Sequence, residues 1–467
     1  MKMNKIVVSL LAAGVTASPL ALATNGMNLE GYGPVSEAMG GASMAYDNGT
    51  AAVMNNPATL GLMKEGSRID AALGILGPSI TSKFTGMPSA DSSATAFYMP
   101  AVGYAKKSGQ MTYGVGVFSQ GGMGTEYSAT SFLAAGSGEK VRSEVGVGRL
   151  IVPLAYQLGD KFTVGGSLDY VWAGMDLKMA LNGSQFGDMV AALGGTQTYG
   201  SASGSMVNTL AGAFGAGQLT ALNWARVDFS NNSSFTGKAN GTGLAFKLGG
   251  TFKANSQLTL GATYHSKTKL GDLTATGASM SMNVNGPAVG GVATTIPVAG
   301  SVSVHNFQWP QTIAMGAAYQ ASDQLLLVAD YKRIGWKDVM KNFSMTFTAD
   351  AGAPLGMGGQ STNMTLFQNW ADQNVYELGG AYKTSDALTL RAGLNLANNP
   401  VPNKYMNPLF PAIAKNHLTL GVGYAVSKVS NVDFAYVYVP KVSATNGQGV
   451  TVDFGGYSTQ LMYSYLF

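Results

Sequence analysis

The chain has 467 residues, no cysteine, 63 glycines, 21 tyrosines, only 11% charged side chains and a formal net charge of +4. Soluble proteins carry about 25% charge, and helical membrane proteins show apolar runs of about 20 residues; no such run follows the N-terminal region. Disulfide frameworks, thiol catalysis and nucleic-acid binding are thereby excluded. A β-barrel fits, because lipid-facing and lumen-facing residues alternate along each strand and their hydropathies average out.

Residues 1–23 read as a secretory signal peptide. Lys2 and Lys5 form the basic start, 6–15 the apolar core and Ala21-Leu22-Ala23 the cleavage motif, so the mature chain begins at Thr24. Residues 24–65 do not alternate. Gly31, Gly33, Gly40, Gly41, Gly49 and Gly61 mark irregular backbone, which cannot face lipid but can sit inside a barrel. This segment is expected to be an N-terminal hatch inside the lumen, and 66–467 the transmembrane barrel.

From 66 onward one theme repeats: a tight turn, then an alternating run with an aromatic near its end. Phe162, Val164, Leu168, Tyr170 and Trp172 share one face, as do Leu258, Leu260, Ala262 and Tyr264. Short turns at 106–110, 158–160, 254–256, 321–323, 384–386 and 427–430 imply an all-β, antiparallel barrel of about 14 strands. The strands are expected near 67–77, 95–105, 111–121, 141–158, 161–179, 236–254, 257–271, 302–320, 324–347, 373–384, 387–397, 416–427, 430–440 and 453–467. The connections 78–94, 122–140, 180–235, 272–301, 348–372, 398–415 and 441–452 all lie opposite the short turns, the bacterial outer-membrane pattern. Within the longest, 186–193 and 206–222 are expected as amphipathic helices.

Tyr104, Tyr113, Tyr156, Tyr319, Tyr382 and Tyr424 form one candidate aromatic girdle, and Tyr170, Trp172, Trp336, Tyr376, Tyr436 and Tyr438 the other. The last strand alternates Leu461, Tyr463, Tyr465 and Phe467, similar to the signal that outer-membrane barrels present for assembly. Strand parity sends Asp70, Arg149, Asp169, Lys247, Lys267, Asp330, Lys332, Glu377, Arg391, His417 and Asp433 to the lumen, since charge on the lipid face costs about 2–4 kcal/mol at mid-depth.

Gly40-Gly41-Ala42-Ser43, Asp47-Asn48 and Asn56-Pro57-Ala58, with Leu390-Arg391-Ala392-Gly393 and Asn399-Pro400-Val401-Pro402 later, resemble the FadL/TodX family of outer-membrane transport proteins over essentially the whole mature chain. Asn399 stands where the family usually has serine. The resemblance implies a hatch, a fourteen-stranded barrel and uptake of hydrophobic ligands, long-chain fatty acids in one branch and aromatic hydrocarbons in another. It also implies exit into the bilayer through a side opening made by an inward kink of the third strand. Gly121, Gly122 and Gly124 are the candidates for that kink; the family's usual proline is absent there. Asn55, Asn56, Pro57 and Ala58 are the gating candidates. Arg391, Glu377, Lys332 and Lys247 are candidates for binding a polar head group or anchoring the hatch.

His265, His305 and His417 lack metal-site spacing, and the G-x-S-x-G elbow is missing. No enzyme activity, cofactor or metal is therefore expected. The leading expectation is an outer-membrane transporter taking up hydrophobic small molecules, foremost long-chain fatty acids. An aromatic-hydrocarbon or alkane channel and a structural or adhesive surface barrel are the alternatives. Expected partners are the hydrophobic ligand, outer-membrane lipid and lipopolysaccharide, and the barrel assembly machinery, with the chain acting as a monomer.

Overall fold

The computed structural model describes residues 25–233 and 236–467; the expected signal peptide lies outside them. Its ring strands are β1 (Gly66–Lys83), β2 (Phe97–Ser108), β3 (Met111–Tyr127), β4 (Val141–Leu158), β5 (Phe162–Asn182), β6 (Ala239–Lys253), β7 (Leu258–His265), β8 (Thr312–Gln320), β9 (Leu325–Ile334), β10 (Gln373–Lys383), β11 (Leu388–Ala397), β12 (Asn416–Ala425), β13 (Ser430–Thr445) and β14 (Thr451–Leu466). Each pairs antiparallel with the next. β14 returns to β1 in register from Arg68↔Leu466 to Lys83↔Thr451, so the sheet closes on itself. Closure removes the unpaired edge that lipid would not tolerate.

The side chains divide as the alternation requires. Leu168 is 74% exposed and Leu420 60%, while Asp169, Lys247 and Glu377 are buried. In water that arrangement would be inverted; in a bilayer the outward leucines meet acyl chains and the inward charges are sheltered. Among the described residues no helix is long and apolar enough to cross a membrane.

The expectation of about 14 strands undercounts the sheet, which contains 22 strand segments. The additional ones build a second storey on the long connections, because backbone leaving the ring finds partners there instead of staying open. The 272–301 connection is mostly a hairpin of Leu273–Asn285 and Thr294–His305. The long connection 180–235 carries helices Gly183–Met189 and Ser205–Gly215, both ending before the expected bounds, and strand Ala221–Phe229.

Three expected strands are broken. The run 302–320 splits at 306–311, where Pro310 has no amide hydrogen. The run 324–347 splits around Gly335 and the short helix Trp336–Val339, and 257–271 splits at 266–268. Two inferences drawn from parity therefore change. Lys267 lies in a break and is exposed rather than lumenal. Trp336 is fully buried rather than in a girdle: its ring lies edge-on to Trp309 at 5.7 Å and to Trp370 at 5.3 Å.

Leu168→Arg is expected to cost about 2–4 kcal/mol of barrel stability, against a much smaller loss for Leu168→Ala. Urea unfolding in lipid vesicles, followed by tryptophan fluorescence, measures both.

Candidate functional site

Residues 25–65 lie against the inner wall, and glycines make the fit possible. A methyl group added at Gly103, Gly116, Gly165, Gly249 or Gly261 would meet Thr50, Val53, Ala58, Asn56 or the Met44 carbonyl. These glycines sit on β2, β3, β5, β6 and β7; Gly379 and Gly393, on β10 and β11, meet Met39 in the same way. Gly103 pairs with Gly116, Gly165 with Gly249, and Gly379 with Gly393, so bare backbone is grouped across strands.

The polar contacts follow the same circuit. Asp330 accepts the amides of Ser43 (2.6 Å) and Met44 (3.0 Å), and Asp70 accepts that of Thr50 (2.7 Å). Asn395 donates to the Gly40 carbonyl at 2.9 Å, and Thr419 to that of Ala38 at 3.0 Å. At the short-turn end Lys107 and Gln157 both donate to the Gly61 carbonyl, at 2.7 and 3.0 Å. Unpaired buried backbone groups are costly, so these wall side chains serve as the partners that irregular backbone cannot supply to itself.

The gating candidates are the best satisfied part of the segment. Asn55 exchanges two hydrogen bonds with the Tyr32 backbone, and its own carbonyl lies 2.7 Å from His265 Nε2. Asn56 caps the short helix Pro57–Leu62 by accepting the Ala58 amide, and donates to the carbonyls of Met44 and Gly250. Pro57 takes the first helical position, where a missing amide hydrogen costs nothing.

The charged candidates are engaged with one another. Lys332 bonds Glu377 at 2.6 Å and the Glu30 carbonyl at 2.8 Å; Arg391 bonds Asp433 at 2.8 Å; Lys247 bonds Asp169, which also takes Arg149 at 2.7 Å. The belt of Asp330, Glu377, Arg391, His417 and Asp433 is divided. Asp330 and Glu377 face the segment, Arg391 with Asp433 forms a separate pair, and His417 contacts Asn395.

The wall has one interruption near the glycine candidates. β2 and β3 pair from Ser108↔Met111 only as far as Ala101↔Phe118. Beyond that, 97–100 pair with β1 alone, while β3 continues along β4 with a register shift between Ser119 and Gly121. Ser119 Oγ donates to the Pro100 carbonyl at 3.2 Å below the gap, and the Ser93 amide to the Glu126 carbonyl at 2.8 Å above it. Pro100 explains the gap. Its carbonyl faces β3, and the amide hydrogen that would point the same way does not exist. The family's usual proline is absent from the third strand, and this one stands in the second, where a proline inside an alternating run marks an edge. Gly121, Gly122 and Gly124 all border the gap. Gly122 donates to the Met27 carbonyl at 3.1 Å, and a side chain on Gly121 would strike that same carbonyl.

Behind the gap is a cavity of about 470 Å³. It is lined by buried Met99, Val145 and Val147 and by the lipid-side residues Tyr98 and Trp172, 43% and 38% exposed, so residues from both faces of the wall border it. Among the described residues Glu144 is its only charged lining residue. A second cavity of about 360 Å³ lies among the long connections, lined by Phe84, Met87, Phe132, Met189, Tyr405 and Leu409. Asp188 and Lys404 also line it. Hydrogen bonds from the Thr196 hydroxyl and nearby amides hold the Asp188 carboxyl below its ordinary range.

A closed antiparallel barrel, apolar outside and charged within, is the architecture of an outer-membrane protein. Residues 9–460 match the family described as outer membrane protein transport protein (OMPP1/FadL/TodX), and the chain belongs to that family of outer-membrane transporters of hydrophobic compounds. It is similar to the Pseudomonas putida toluene transporter TodX, with 29% identity and a TM-score of 0.79 over 94% of this chain and 99% of that one. It is likewise similar to the Ralstonia pickettii toluene transporter TbuX, with 31% identity and a TM-score of 0.73 over 94% and 99%. An uncharacterized Chlorobium limicola protein, from the 5′ region of a phosphoenolpyruvate carboxykinase gene, is 70% identical over 53 residues, 11% of this chain. The chain spans about a quarter of the length of the curated relatives it matches.

Gly249→Leu is expected to unseat the Asn56 turn. Ser43→Cys provides the reporter, since its hydroxyl is buried without a partner and the chain has no cysteine of its own. Labelling of that thiol by a hydrophilic maleimide should accelerate at least tenfold in the double variant. A rate within twofold of the Ser43→Cys parent would contradict the seating.

Proposed function

We propose that the protein takes up uncharged hydrophobic molecules, most simply small aromatic hydrocarbons, by passive diffusion, and releases them sideways into the outer membrane between β2 and β3. The observation that carries this reading is the cavity in the wall: it joins lumen-side and lipid-side residues and contains no lysine or arginine. A hydrocarbon moving from the lumen to acyl chains keeps apolar contact throughout, and no transmembrane water path is needed. In this reading residues 25–65 are the hatch that blocks the axial route, and the outer cavity collects ligand from the medium.

The charge pattern favours neutral cargo. The buried cations Arg149, Lys247, Lys332 and Arg391 each have a carboxylate partner, so a ligand carboxylate would have to displace one. The toluene transporters similar to this chain support the same choice. Long-chain fatty acids are the second reading. Lys404 favours it, as a cation beside the outer cavity, its Nζ 5.1 Å from the Tyr405 ring centre.

Gly146 lines the side cavity, and a side chain there meets open space, so Gly146→Trp should fill the cavity and leave the fold intact. Toluene uptake by cells expressing this variant is expected to fall at least tenfold; unchanged uptake contradicts the sideways route. In the wild type, excess oleate should leave toluene uptake within twofold, whereas strong competition would favour the fatty-acid reading.

A further inference from the structure

The register between β3 and β4 runs Phe118↔Arg149, Ser119↔Gly148, then Gly121↔Val147. Gln120 is therefore the inserted residue of a β-bulge, with no partner on β4. A bulge frees the polar groups of the residue it inserts. Here Gln120 is buried, and both its side chain and its carbonyl are taken up from inside the barrel. Arg149 Nε donates to Gln120 Oε1, and the Tyr32 hydroxyl donates to the Gln120 carbonyl at 2.7 Å. Arg149 is itself fixed by Asp169, which Lys247 and Ser167 hold in turn. Tyr32 is fixed by its two bonds with Asn55.

We propose that Tyr32 and Arg149 are positioning residues that hold the bulge at Gln120 and so set the width of the gap between β2 and β3. Neither lines the side cavity. They act through the strand: with the bulge held inward, the backbone of residues 120–124 stays unpaired with β2. With the bulge released, β3 relaxes towards β2, since unpaired strand edges seek partners. The width of the gap, and with it the largest cargo passed, then depends on two side chains that do not touch cargo. This inference rests on the sideways route proposed above.

The test compares uptake of toluene with that of naphthalene, a wider uncharged aromatic, in cells expressing Tyr32→Phe, Gln120→Leu or Gln120→Glu. Unheated electrophoretic mobility reports barrel closure. Tyr32→Phe and Gln120→Leu are expected to lower the naphthalene-to-toluene ratio at least fivefold. Gln120→Glu keeps an oxygen for Arg149 and should keep the wild-type ratio, an outcome that a general loss of stability would not produce. If Gln120→Leu does not assemble, Tyr32→Phe, which deletes a single oxygen, gives the same reading. Ratios within twofold of wild type in Tyr32→Phe and every assembled Gln120 variant, with Gly146→Trp still blocking toluene, overturn the clamp and leave the route standing. Unchanged uptake in Gly146→Trp overturns the route itself.

Discussion

Backbone lies directly against backbone where residues 25–65 meet the barrel wall, and the rest of the interior is organised around that contact. Irregular chain inside a barrel needs hydrogen-bond partners and close packing from the wall. Side chains with a Cβ would hold the two backbones apart. Gly165, Gly261, Gly379 and Gly393 remove that spacing, each lying against backbone of the segment. The 63 glycines that make the composition unusual thus include a functional subset, grouped as cross-strand pairs.

Once the backbones are in contact, the wall's polar side chains act at fixed points. Asp330 and Asp70 receive amides, Asn395 and Lys107 cover carbonyls, and Lys332 ties the Glu30 carbonyl to Glu377. Buried ions are expensive unless paired, and removing one partner leaves the other stranded. This network seats the segment and gives the lumenal cations Arg149, Lys247, Lys332 and Arg391 carboxylate partners. Near β3, Gly122 bonds Met27 and Tyr32 bonds Gln120, so the same segment reaches the gap between β2 and β3.

The barrel was legible in the sequence because a bilayer enforces strict alternation. Leu168, Tyr170 and Trp172 face outward and Asp169 inward, as parity requires. Every inferred lumenal charge but Lys267 is buried or nearly so. Parity fails where a strand stops: Lys267 and Trp336 sit at breaks whose positions depend on Pro310, Gly335 and contacts above the ring. The family resemblance pointed to Asn55–Ala58 and to Gly121, Gly122 and Gly124, and the structure places the first group against β6 and β7 and the second at the gap. Pro100, Gln120 and Tyr32 carry no part of the sequence reading, and Arg149 enters it only as a lumenal charge. Pro100 carries a local signal that was readable. A bulge has none, because an inserted residue is defined only by the partner strand, and the partners of Gln120 lie 29 and 88 positions away.

The central claim is that cargo crosses the wall between β2 and β3 and does not pass along the axis. Anomalous diffraction from crystals soaked in 4-bromotoluene tests it most directly, because bromine locates a ligand that otherwise resembles solvent. The account predicts a bromine peak in the side cavity, between Met99, Met123 and Val145. Peaks running instead along the axis, past Gly61 and Gln157 to the short-turn end, would contradict it.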